Sequence, residues 1–128
     1  ERLALDSITT DKVICGEQQP ESDHFVKMDQ SNAGDDEGIH WRETREWFSY
    51  QMKTHGQQPA KVRIQFRPEN RRDARVYVND IAIGTLTNQR VAELEIPADL
   101  RNAEVLTIKV GKGEGRVTPH IYEVRLVK

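Results

Sequence analysis

The chain has a single cysteine, Cys15, which excludes an internal disulfide and any zinc site built from several cysteines. Aromatic residues are scarce, at 6% of 128 residues. No apolar run approaches the ~18 residues of a membrane-spanning helix, and no secretory leader is visible. An excess of one charge is also lacking, since 19 basic against 21 acidic residues leave a net charge of −2. Such a balance provides no general pull toward nucleic acid or an anionic membrane, so neither is an expected partner. Collagen, coiled coil and disulfide scaffold are excluded on composition, and there is no internal repeat. The Gly-x-Ser-x-Gly, His-Glu-x-x-His and P-loop signatures are absent as well. The sequence opens on Glu1 without a Met, as expected of a piece cut from a longer protein.

What remains is rich in strand signals. In Lys61–Arg67, Val62, Ile64 and Phe66 alternate with Lys61, Arg63, Gln65 and Arg67, the period of a half-buried strand. Residues 105–110 repeat the pattern with Leu106, Ile108 and Val110. His120–Val127 does so with Tyr122, Val124 and Leu126 on one side and Glu123 and Arg125 on the other. Further strands are expected at 3–8, 12–15, 24–28, 47–53, 75–78, 81–86 and 91–96. Asn79-Asp80 reads as a two-residue hairpin turn, and Pro97 to Arg101 as a brief helical turn. The best helix candidate, 41–47, is short and charged. Regular strands without intervening helices predict an all-β fold. We expect a single antiparallel β-sandwich of the jelly-roll type spanning 1–128, with about eight strands. Residues 16–46 show little period and are expected to form a long irregular segment of functional interest.

Four constellations can carry chemistry. Glu17, Gln18, Gln19, Glu21, Asp23 and His24 cluster in sequence. Two carboxylates four residues apart suit general acid/base work, but Pro20 argues against the helix that would align them. The alternatives are ligand contact and a polar turn that ties down the following segment. Asp35, Asp36 and Glu37, flanked by Gly34 and Gly38, offer hard oxygens for calcium without EF-hand spacing; a solvated loop tip is the alternative. If Phe48, Tyr50 and Met52 face the core, Trp47 lies toward solvent or under the long segment. Trp47 and Trp41 then serve either as sugar-stacking platforms or as cover over the core. Arg67, Arg71, Arg72 and Arg75 can meet phosphate or carboxylate, though Glu69 and Asp73 interrupt them as on a solvated hairpin tip. Cys15 follows Val13 and Ile14, the setting of a buried, inert thiol.

The string Gly16-Glu17-Gln18-Gln19-Pro20-Glu21, with Asp23-His24, Ser31-Asn32, His40-Trp41-Arg42 and Trp47-Phe48-Ser49-Tyr50, carries a resemblance. It resembles the C-terminal β-sandwich module of bacterial secreted proteins related to glycoside hydrolase family 127, the β-L-arabinofuranosidase-like group. The half from Tyr50 onward is also similar to galactose-binding-type jelly rolls. The resemblance implies a non-catalytic accessory module that packs on an N-terminal catalytic domain of an exported parent, secreted or periplasmic. It implies no catalytic residue on this chain and no cofactor. Contact with a plant-type polysaccharide would use stacking on Trp47 or Trp41 and hydrogen bonds from Glu17, Gln18, Gln19, Glu21, His24 or Arg42. A purely structural cap without ligand, and a free-standing hydrolase using Glu17 and Glu21, are the competing expectations.

Overall fold

The fold is given by a computed structural model that describes residues 2–128. Two short helices, α1 (Arg2–Ile8) and α2 (Gln18–Asp23), flank β1 (Thr9–Ile14). Then follow β2 (Lys27–Asp36), β3 (Ile39–Lys53), β4 (Lys61–Arg67), β5 (Ala74–Val78), β6 (Ile81–Leu86), β7 (Val91–Glu95), β8 (Val105–Lys112) and β9 (His120–Val127). A single 3₁₀ turn, Ala98–Leu100, lies where Pro97 to Arg101 predicted one.

All strand pairs are antiparallel and fall into two layers. One runs β2–β3–β8–β5–β6 and the other β1–β9–β4–β7. The chain crosses between layers after β1, β3, β4, β6, β7 and β8, the winding of a jelly roll. A bridge between Arg42 and Ile121 joins the layers along one side, so the sheet is nearly closed. This is the expected all-β sandwich, with β2 as an additional strand beyond β3.

Alternation decides what is buried. Phe48, Tyr50 and Met52 of β3 and Val62, Ile64 and Phe66 of β4 have at most 2% of their surface exposed. They pack with Leu106, Ile108 and Val110 of β8 and with Val124 and Leu126 of β9. Each large aliphatic side chain removed from water stabilises the fold by about 1.5–3 kcal/mol, and that is what holds the layers together.

Several expectations are corrected. Residues 3–8 form helix α1; Leu3 is 80% exposed, and Asp6 of the helix lies over β9 by pairing with Arg125. Of the strand expected at 24–28 only Lys27 and Met28 are strand, the start of β2, because Phe25 takes a φ of 54° and pairing begins at Lys27. Residues 41–47, the helix candidate, lie within β3. The segment 16–46 is ordered as α2 and a long β2–β3 hairpin. In β9, Tyr122 does not share the core face of Val124 and Leu126. A bulge pairs Gln65 with Glu123 and Phe66 with Ile121, which skips Tyr122 and turns it toward Asp36.

The β5–β6 turn has φ of 48° at Asn79 and 68° at Asp80, the left-handed pair that a type I′ hairpin requires. Asn79 also accepts a hydrogen bond from the Thr107 amide at 2.9 Å, so its identity matters. Asp80 has only a 3.5 Å contact with Lys109 to offset its strained backbone. We therefore expect Asp80→Gly to stabilise the protein by roughly 0.5 kcal/mol, read as a raised urea midpoint, and Asn79→Ala to destabilise it.

Candidate functional site

The Gly16 to Glu21 string is built around one buried carboxylate. Gly16 has a φ of 83°, and a Cβ there would collide with the Trp41 carbonyl, so only glycine fits. Glu17 is the N-cap of α2, and Pro20 occupies the first turn of that helix. First-turn amides have no intrahelical acceptor, so Pro20 costs no hydrogen bond there; this overturns the expectation that it bars a helix. The helix turns Glu21 inward to 4% exposure.

Both oxygens of Glu21 are satisfied. Arg42 donates from Nε at 2.7 Å and from Nη2 at 2.8 Å, a bidentate pair. The Tyr50 hydroxyl donates at 2.5 Å and the Gly16 amide at 3.0 Å. Burial alone would push the Glu21 carboxyl up, but these donors offset it and hold it below the usual carboxylate range. Arg42 Nη1 continues to Ser31 Oγ at 2.9 Å and Met28 Sδ at 3.2 Å. The cluster thus ties the end of β1, α2, β2 and β3 together. Burial pushes the neighbouring Cys15 thiol up to about 12, which makes it inert as a nucleophile.

The structure distributes the other predicted residues differently. Gln18 and Gln19 face water, where Gln19 donates to Asp23 at 2.8 Å. His24 lies 2.8 Å from Asp11 and 2.7 Å from the Pro20 carbonyl, fastening α2 to β1. Trp41 stacks on His120 with ring centroids 3.8 Å apart, and Gly34 leaves no room for a side chain against its six-membered ring. It therefore covers structure instead of offering an open platform. Trp47 is half-buried, opposite Asp29 on one neighbouring strand and Gly111 on the other. Of the predicted ligand-binding residues, Glu21 and Arg42 bond each other.

Asp35, Asp36 and Glu37 sit at the β2–β3 hairpin end and line one shallow pocket with Arg67 and Tyr122, but their carboxylates are not grouped to hold a metal ion. Asp35 accepts the Gly38 amide at 2.9 Å, and Glu37 is a turn residue with φ 53°. Asp36 turns to β9 and accepts from His120 Nδ1 and from the Tyr122 hydroxyl, each at 2.8 Å. Burial raises the Asp36 carboxyl, but His120 and Tyr122 outweigh it, so the net direction is down. Burial and Asp36 push the Tyr122 hydroxyl up to about 12. Among the described residues no three His, Cys, Asp or Glu side chains are grouped to hold a metal ion.

His120 Nε2 lies 3.3 Å from Glu43, which also meets Arg72 Nη1 at 3.1 Å, and Arg72 Nε reaches Glu69 at 2.8 Å. Arg72 thereby links this seam to an open cleft of about 820 Å³. Three loops form the cleft: 68–73, 87–90 and 113–119. Arg71, Arg72, Arg116, Asn70, Asn88 and Glu114 are among its lining residues. Of the arginine group read from the sequence, Arg71 and Arg72 reach it, whereas Arg67 lies 3.5 Å from Asp36. Asn70, Asn88 and Arg116 were missed; adjacency to the Arg71-Arg72 pair could have suggested Asn70, but nothing in the sequence flags the other two.

Residues 4–127 match a family of unknown function, DUF6805. The chain belongs to that family. The DUF6805 match takes in both the Glu21 cluster and the cleft, so the two are parts of one family unit. No curated protein matches the chain.

Two predictions follow from the geometry. Glu21→Gln leaves the buried Arg42 without its counter-charge and should cost about 3–5 kcal/mol in chemical denaturation. His24 is raised above 6.5 chiefly by its bond to Asp11, so its contribution is complete below that value and is lost as pH rises through its folded pKa. Asp11 is lowered below 3.8 because the His24 bond and backbone amides outweigh burial; its contribution is lost only as pH falls through its folded pKa. Urea midpoints taken between about pH 5 and about pH 9 should therefore decline toward the alkaline side, and Asp11→Asn should flatten that decline.

Proposed function

We propose that the chain is a non-catalytic accessory module of a larger exported bacterial protein acting on polysaccharide. It packs on a catalytic domain of that parent and contacts glycan through the loop-end cleft. The observation that carries this reading is the cleft itself. It is open, about 820 Å³ in volume, and lined by planar polar side chains, which pair with the vicinal hydroxyls of sugars. The resemblance in the Gly16 to Glu21 string supports the same context. Glu21, the carboxylate best spaced for acid/base work with Glu17, has both oxygens engaged inside the protein, which favours a binding role over hydrolysis.

A second reading, a structural cap without ligand, is favoured by apolar side chains left in water. Leu3 is 80% exposed, Phe25 62% and Ile39 55%, and a parent domain would cover such groups.

Titration calorimetry with arabinan- and pectin-derived oligosaccharides should give measurable heat. Asn88→Ala should weaken the binding roughly fivefold, by removing one hydrogen-bonding side chain from the cleft. Absence of heat across a broad oligosaccharide panel would overturn the glycan reading and leave the cap. The cap reading requires that deleting the module lower the parent's melting temperature.

A further inference from the structure

The charged side chains of the cleft balance in number, three arginines against three acids, but they differ in which are already engaged. Of the lining acids, Glu69 is engaged by Arg72 at 2.8 Å, and Asp73 accepts the amides of Glu114 at 3.0 Å and Gly115 at 2.9 Å. Burial raises the Asp73 carboxyl, but those amides more than offset it, so it stays ionised and engaged. The arginines are in the opposite condition. Arg71 and Arg116 are exposed to the cleft and have no hydrogen-bond or ion-pair partner among the described residues. Glu114, the remaining acid, is exposed and bonded to neither of them.

The loops are built to bring these two guanidinium groups to one cleft. A Cβ on Gly115 would collide with the Arg71 carbonyl, and one on Gly113 would collide with the Asp73 carboxylate. Glycine at both positions therefore lets loop 113–119 lie against loop 68–73, with Arg116 one residue beyond the contact. Arg71 itself takes a φ of 65°, a left-handed conformation that is costly for any residue with a side chain. Both side chains line the cleft, and among the described residues neither is held by an ion pair or a hydrogen bond, so both remain available to an incoming anion. Guanidinium groups match a carboxylate in shape and donate two parallel hydrogen bonds to it.

We infer that the cleft is a site for an acidic saccharide, in which Arg71 and Arg116 clamp the carboxylate of a uronic acid unit. Asn70 and Asn88 serve its hydroxyls. This inference rests on the glycan reading and adds the charge of the sugar to it.

The test titrates the 128-residue chain with an oligogalacturonate and, separately, with a neutral galactooligosaccharide of equal length. The acidic ligand should bind and the neutral one should bind at least roughly tenfold more weakly. Arg71→Gln and Arg116→Gln should each weaken the acidic ligand by roughly tenfold while leaving the melting temperature unchanged, since neither side chain has a partner among the described residues. Equal affinity for both ligands would overturn the inference while leaving the glycan reading in place. So would acidic-ligand binding that survives both substitutions. No binding of either ligand would overturn the inference, and the glycan reading would then fail only if neutral arabinan oligosaccharides also gave no heat.

Discussion

The placement of α2 on the sandwich depends on one buried ion pair. Glu21 arrives on a helix of six residues, Arg42 on the longest strand, and Tyr50 and Gly16 complete the carboxylate's partners. A helix this short has no stability of its own, because nucleation costs more than so few hydrogen bonds return. It persists because Glu21 must be neutralised inside the protein and because His24 fastens its other end to Asp11. The same Arg42 sits at the bridge to Ile121 that joins the two layers. A charge buried for want of a partner would be among the most destabilising features a small domain can carry. Here the pair fixes the position of α2 over the side of the sandwich, where β1 and β3 approach.

The alternating strands were legible because each has one wet face and one buried face. Val62, Ile64 and Phe66 show this directly, and the bounds of β4 and β9 agree with those read from sequence. The Asn79-Asp80 turn was legible for a related reason, since few residues tolerate two successive left-handed conformations. Strand β2 was not legible. It lies outside β3 with seven of its ten residues exposed and none buried, so no period marks it. Helix α1 was misread because its short apolar run alternates like a strand, yet it leaves Leu3 in water.

The sites were harder to read than the fold. Glu21 and Arg42 stood out singly, but their pairing spans 21 residues of sequence and depends on where α2 lands. Asp36, His120 and Tyr122 meet only because a one-residue bulge redirects Tyr122. The cleft gathers side chains from three loops, so local sequence shows only the Arg71-Arg72 corner of it. Its ionic character depends on which charges are already engaged, a property of the folded arrangement and not of composition.

The sealed position of Cys15 has a consequence of its own. It is the protein's sole thiol, has no exposed surface and is held protonated by its surroundings. No oxidant or alkylating reagent reaches it while the two layers stay together. Covalent labelling of this sulfur therefore requires the interior to open, and the labelling rate becomes a native-state clock for the rarest, most extensive fluctuations of the molecule.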